Sequence, residues 1–500
     1  MNYKMIRYII GQLMLVESAL MLLPLAVMLI YREFGQVWSV LIPLFALLIL
    51  GSLLSLFKPK NKTLDIKDGF VVVGLSWIIM SLFGCLPFIL SGLIPSFTDA
   101  FFETVSGFTT TGASVLSAAD FDKLWHSADA SFGMRGIFFW RSLTHWIGGM
   151  GVLVFILAIM PQNDMKSSRL VHIMRAEMPG PKVDKIVATV RKTSAIMYAI
   201  YSVMTLAQVV LLLFGGMDLY ESLCTSFATA GTGGFSIRAD SMMTFSGIAY
   251  PDFCTWVVTV FMFLFAINFN VYFLILTGKA ASALLSEELR WFVGITLTSS
   301  ALIAVKIYSI YGNLADTLKH AFFQVSSIIS TTGFATDDFN IWPNMSKTIL
   351  LVLMFIGACA GSTGGGLKVG RIVIAIKSAL AETQKMIHPR QVKKVMFEKK
   401  AVDDATIKGT FSYIIVYFLI FFASFLSIAI IDGQSIETSF SSVAACFNNI
   451  GPAFDAAGPA ANYAFYSIPS KLILSFDMLL GRLELLPIML LFSPKVWFEK

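Results

Sequence analysis

Charge is scarce in this chain. Of 500 residues only 14% are Asp, Glu, Lys or Arg, against 56% apolar, whereas a soluble domain carries about a quarter charged residues. That deficit, with a mean hydropathy of +0.76, excludes a water-soluble globular chain. Cysteine is sparse too. Cys85, Cys224, Cys254, Cys359 and Cys446 stand singly in or beside apolar stretches, so neither a disulfide framework nor a thiolate metal site is implied. His126, His145, His172, His320 and His388 are dispersed, and no acidic metal-binding cluster accompanies them. A polytopic enzyme acting on a lipid or prenyl substrate would need such groups concentrated at one membrane face. No GxGxxG opens a helix after a strand, so no dinucleotide fold is expected, and no cofactor either.

What is abundant is apolar sequence in long runs. About 20 apolar residues cross a bilayer as helix, and ten stretches qualify: 8–30, 37–57, 69–92, 134–160, 193–215, 253–277, 291–311, 347–376, 408–431 and 470–493. The first follows "MNYKMIR" but is too long for a signal peptide, carries Glu17 in its middle and lacks a small-x-small cleavage site. It reads as a retained helix. In a ten-span arrangement the N-terminus, the loops 58–68, 161–192, 278–290 and 368–408, and the C-terminus hold about 27 of the 37 Lys and Arg. The alternate loops hold only Arg32, Lys123, Arg238, Lys319 and Lys347. Both termini are therefore expected in the cytoplasm. Even the most basic stretch, "HPRQVKKVMFEKK" (388–400), has no nucleic-acid-reading motif beside it and reads as a topology determinant.

Four phrases on the non-basic side interrupt this pattern with small and hydroxyl-bearing residues. They are "FFETVSGFTTTGAS" (101–114), "SLCTSFATAGTGGFS" (222–236), "FFQVSSIISTTGFAT" (322–336) and "FSSVAACFNNIGPAF" (440–454). Aligned on glycine, they place Gly112, Gly233, Gly333 and Gly451 in equivalent positions. About ten half-apolar residues precede each glycine, too few to span, so each phrase predicts a helix that enters and turns back. Any one phrase alone would read as close helix packing. Four in register, each between an outgoing and a returning helix, predict a shared ion path, because irregular backbone at membrane depth must be buried in protein or line water. Backbone carbonyls can replace an ion's hydration shell there. Candidate ion ligands are Thr110, Thr111 and Gly112; Thr232 and Gly233; Thr331, Thr332 and Gly333; and Asn449, Ile450 and Gly451. Asp99, Glu103, Asp218, Glu221 and Glu437 fall at or near the outer helix starts, where acids are favourable and could draw cations to the mouth.

With "FFWRSLTHWIGGMGVLVFILAIMP" (138–161), "GACAGSTGGGLKVGR" (357–371) and "LLGRLELLP" (479–487), these phrases make the chain resemble the Trk/Ktr/HKT superfamily, and within it the bacterial Trk-type potassium uptake subunits of the TrkH family. The resemblance runs from about residue 69 to the end, and the extra helices at 8–57 fit the Trk branch. It implies an all-α polytopic fold with four helix, re-entrant loop, helix repeats around one pore: an N-terminal pair at 1–68, then repeats at 69–161, 162–278, 279–377 and 378–500. It further implies potassium as the transported ion, with rubidium beside it, a bacterial inner-membrane location, a homodimer surrounded by lipid, and a cytoplasmic nucleotide-binding regulator of the RCK type. Asn448, Asn449 and Ile450 depart from the Thr and Ser of the other repeats, so the fourth wall is expected to be chemically unlike the others and coordination not strictly fourfold.

Two features lie below the expected filter. "GACAGSTGGGLKV" looks like a phosphate loop, but Leu367 follows the last glycine, Lys368 comes one place late and Val369 replaces the hydroxyl residue. Glycine is a poor helix former, so Gly361, Ser362, Thr363, Gly364, Gly365 and Gly366 read as a flexible break, either a kink or the gating loop that the resemblance implies. Arg482 lies mid-span, where an ionisable group is a functional hypothesis by default. It either pairs with Asp477 or Glu484 or, as the resemblance implies, stands in the permeation path. For Arg141 and His145, packing or loop anchoring accounts about as well as a functional role.

Overall fold

The structure, a computed structural model, describes residues 1–59, 65–125, 130–151, 190–243, 248–388, 394–483, 485–491 and 494. Among them the only strands form a two-residue antiparallel hairpin, Met396–Phe397 with Lys400–Ala401. Everything else regular is helix.

After the N-terminal pair (Tyr3–Leu20 with Leu22–Ile30, then Val37–Ser55), one unit recurs four times: an outer helix, a short helix, a turn-back segment and an inner helix. In the first unit these helices are Ile66–Gly84, Phe97–Phe108 and Arg135–Gly149. The second has Val190–Phe214, Leu219–Gly231 and Pro251–Phe265. The third has Glu287–Tyr311, Leu314–Ile329 and Asn344–Ile356, and the fourth Asp404–Asp432, Ile436–Phe447 and Ile468–Arg482.

Among the described residues six helices are individually long and apolar enough to cross a membrane, with a seventh if a bent pair counts as one span. Several expected spans are thus not single helices. The first, Tyr3–Ile30, is one of the six and is only locally irregular at Met21, three residues before Pro24, whose ring nitrogen cannot bond the Leu20 carbonyl; others are broken outright. The stretch 253–277 bends by 92° between Phe265 and Phe269, and 347–376 is interrupted between Ile356 and Val369. The last ends at Arg482 before a short helix, Leu486–Leu491. Residues 152–160 of the span at 134–160 lie outside the described residues. Inner helices therefore end or break at Gly149, Phe265, Ile356 and Arg482, one in each unit.

The outer helices turn apolar side chains outward. Leu206, Val305, Leu419 and Ile430 are all more than 60% exposed, the reverse of a soluble helix and the arrangement a lipid surround favours. The polar residues of the turn-back segments are buried instead.

Candidate functional site

The short helices have 12, 13, 16 and 12 residues. At 1.5 Å per residue a 12-residue helix is about 18 Å long, well short of the hydrocarbon core. Each starts on a side chain that satisfies an orphan N–H: Ser96 for Asp99, Asp218 for Glu221, Asn313 for Ala315 and Ser435 for Thr438. Their C-terminal ends run into the turn-back segments and carry the partial negative charge of the helix dipole there.

Those segments share one backbone pattern. A non-glycine residue with positive φ (Thr110, Thr232, Thr331, Asn449) is followed two places later by a positive-φ glycine: Gly112, Gly234, Gly333, Gly451. The residue between them donates its N–H to the carbonyl five places earlier, as Thr111 to Ser106, Gly233 to Ala228, Thr332 to Ser327 and Ile450 to Ala445. The register expected for the second unit is therefore corrected by one residue. Gly233 stands where Thr111 does, and Gly234, missed in the sequence because two glycines adjoin, matches Gly112, Gly333 and Gly451.

The four segments close a ring. A Cβ on Gly112 would collide with the carbonyl oxygen of Gly233, one on Gly234 with that of Thr332, and one on Gly333 with that of Ile450. On Gly451 it would come within 2.7 Å of the Thr111 oxygen, which returns to the first segment. Only glycine leaves room for each neighbouring carbonyl at these positive φ angles. All four glycines line one cavity on the outer side. Thr110, Thr111, Thr232, Thr331, Thr332, Asn449 and Ile450 are buried in the ring. Asn449 crosses from the fourth segment to the first, its Nδ2 donating to Thr111 Oγ1 at 3.0 Å and to Met478 O at 2.9 Å.

The acids at the outer helix starts are engaged rather than open. Asp99 pairs with Lys471 (2.6 Å), Glu221 with Arg238 (2.7 Å) and Glu437 with Lys347 (3.1 Å). Glu103 is fully buried with Arg141 at 2.7 Å, and its carboxylate also accepts from Ser114 Oγ and Val115 N. Arg141 donates in turn to Ser236 O at 2.8 Å, so this pair joins the first segment to the second. Outside the fourth segment, hydroxyls of Thr438 and Ser435 donate to Asp455 and hold its carboxyl below the ordinary carboxylate range.

Beneath the ring the broken inner helices meet. Arg482, buried, sends Nη1 to Thr363 O (2.6 Å) and Nη2 to Gly148 O (2.6 Å) and Gly149 O. Thr363 Oγ1 donates to Phe265 O at 3.1 Å, so all four units take part in one knot. Asp477 accepts from Ser424 instead, and Glu484 lies outside the described residues. The glycine loop also touches the ring, with Gly365 N donating to Thr331 Oγ1 at 2.6 Å. Gly361 O accepts from Phe269 N, Ser362 Oγ donates to Cys359 O and Gly364 O accepts from Lys368 Nζ. Gly366 lies against Gly357 where the loop closes on itself. Both flanks of the loop converge on one carboxylate oxygen: Glu288 Oε1 accepts from Ala360 N (2.9 Å) and Gly370 N (3.0 Å). Nothing near Glu288 in sequence marks that role, because its partners lie 72 and 82 residues away.

A four-unit ring of carbonyl-bearing turn-back segments, closed below by loop and arginine, defines a polytopic membrane protein with a single central passage. The TrkH family profile, described as "Cation transport protein", matches residues 39–499, and the chain belongs to that family. It is 35% identical over the full length of both chains to the Trk system potassium uptake protein TrkH of Escherichia coli (strain K12). To the protein of the same name from Halomonas elongata it is 32% identical, over 99% of this chain and 100% of the other. The crystal structure of the potassium transporter TrkH from Vibrio parahaemolyticus superposes with a TM-score of 0.86 at 30% identity, over 99% of this chain and 100% of that one.

Proposed function

We propose that this chain takes up potassium across the bacterial cytoplasmic membrane through the central ring, with the glycine loop and Arg482 as its gate. The observation that carries the reading is the closed circuit of glycine-to-carbonyl contacts, Gly112 to Gly233, Gly234 to Thr332, Gly333 to Ile450 and Gly451 to Thr111. Carbonyls gathered about one axis by four short helices suit a dehydrated monovalent cation. Thr111, Gly233, Thr332 and Ile450 supply the innermost oxygens, with Thr110, Thr232, Thr331 and Asn449 one place below. The fourth wall, Asn449 and Ile450, differs chemically from the rest, so coordination is not strictly fourfold.

In this reading the guanidinium of Arg482, on the fourth unit, sets a positive charge in the path and ties the loop to the first unit. Both termini face the cytoplasm, as the distribution of Lys and Arg supports. Two copies pair within the lipid. An RCK-type nucleotide-binding regulator docks on the basic loops 161–192 and 368–408 and acts on the helix Val369–Ile387, which continues directly from the loop. Residues 152–189 and Lys393 lie outside the described residues, while Lys394 is within them.

Rubidium uptake into proteoliposomes containing this chain alone tests the proposal. Uptake competed by potassium more strongly than by sodium is expected. A membrane enzyme or a structural subunit would show none.

A further inference from the structure

The residue before the ring glycine is Thr111, Thr332 or Ile450 in three segments but Gly233 in the second. In the first and third segments the threonine hydroxyl braces the backbone by bonding a hydroxyl two places earlier, Thr109 at 2.8 Å and Ser330 at 2.7 Å. Gly233 has no side chain, and two places before it stands Gly231.

The space is filled from another unit. The buried imidazole of His145, on the inner helix of the first unit, lies against Gly233 so closely that a Cβ there would sit 2.5 Å from Cγ and 2.6 Å from Cε1. Gly233 is not among the positive-φ glycines, so it is the ring, and not the backbone angle, that excludes a side chain. His145 Nδ1 accepts from Phe235 N at 3.4 Å, and the two rings stack at 4.1 Å. One turn earlier on the same helix face, the Arg141 guanidinium lies 3.5 Å from the centre of the Phe235 ring and bonds Ser236 O. Residues 141 and 145 thus grip the segment from Gly233 to Ser236.

We propose that His145 is a positioning residue for ion selection: it supplies from the first unit the brace that a threonine side chain supplies in the first and third segments, and so sets where the Gly233 carbonyl stands in the ring. The proposal rests on reading the ring as a selectivity filter. Without the imidazole, Phe235 N loses its acceptor, and a glycine with wide backbone freedom borders a void.

The test is potassium-against-sodium competition for rubidium influx in proteoliposomes of the full chain. His145→Ala is expected to lower the preference for potassium about tenfold, the weight of one ordinary hydrogen bond. His145→Asn, whose side-chain oxygen can accept from Phe235 N, should keep most of it. Gly233→Ala alone should lose selective uptake, and the double variant Gly233→Ala with His145→Ala should regain it to the level of His145→Ala, since the methyl group then has room. An unchanged preference in His145→Ala, or a double variant no better than Gly233→Ala, overturns the proposal. Gly333→Ala separates the two levels. If it too leaves the preference intact, the filter reading itself fails; if it alters the preference and His145→Ala does not, only the role of His145 falls.

Discussion

Replacing Arg482 by Ala removes the guanidinium that joins the glycine loop of the third unit to the inner-helix end of the first beneath the ring, through Thr363 O, Gly148 O and Gly149 O. Two contributions to a closed path vanish with it. One is the set of charge-assisted hydrogen bonds that hold the loop, each worth about 1.5–3 kcal/mol net. The other is charge: a potassium ion about 6 Å from the guanidinium, in surroundings of effective dielectric constant about 20, meets a barrier of about 3 kcal/mol. Relief of the second alone corresponds to about a hundredfold in rate. Water entering the passage screens part of it, so basal rubidium influx without any cytosolic partner should rise about ten- to a hundredfold. Arg482→Lys keeps the charge but not the planar fork, and should give an intermediate rise. Preference for potassium over sodium should persist in both, because the ring lies above the substitution. An Arg482→Ala variant that folds, inserts and shows unaltered basal influx would refute this reasoning and place the gate elsewhere.

Other substitutions probe the remaining parts. Gly112→Ser and Gly234→Ser should each weaken potassium preference, because a side chain at positive φ collides with the next carbonyl of the ring; sodium competition of rubidium influx reads this out, and a silent Gly234 variant would contradict the corrected register. Glu288→Ala frees both flanks of the glycine loop and should raise basal influx, as should deletion of Ser362–Gly365, whereas Glu288→Gln, still an acceptor, should do less. Breaking the buried pair with Arg141→Met leaves Glu103 charged and unpaired, a loss of about 3–5 kcal/mol, visible as a lower unfolding midpoint in detergent. Adding Glu103→Leu should recover part of that loss.

A carbonyl's fate depends on what lies beside it in space, and that divides what could be read from the chain. Hydropathy, the four glycine- and threonine-bearing phrases and an arginine in an apolar run are local signals, and they sufficed for an all-α membrane fold with repeated short re-entrant helices. They also singled out the stretch Gly361–Gly366, because consecutive glycines weaken a helix wherever they occur. Local signals could not choose between Gly233 and Gly234, since both residues tolerate either backbone conformation. That choice shows only in the folded backbone, where Gly234 takes the positive φ against the Thr332 carbonyl while the imidazole of His145, 88 positions from Gly233, fills the space beside it. The same holds for the acids at the mouth, which read as open charges until their partners Lys471, Arg141, Arg238 and Lys347 are brought beside them. It holds as well for Glu288, an ordinary first-turn glutamate by sequence. What the sequence by itself determined is thus the set of elements and their order, because burial in lipid and backbone propensity act over a few residues. Only the tertiary structure decided register, charge pairing and the clasp on the loop, because those depend on contacts between units that no local pattern encodes.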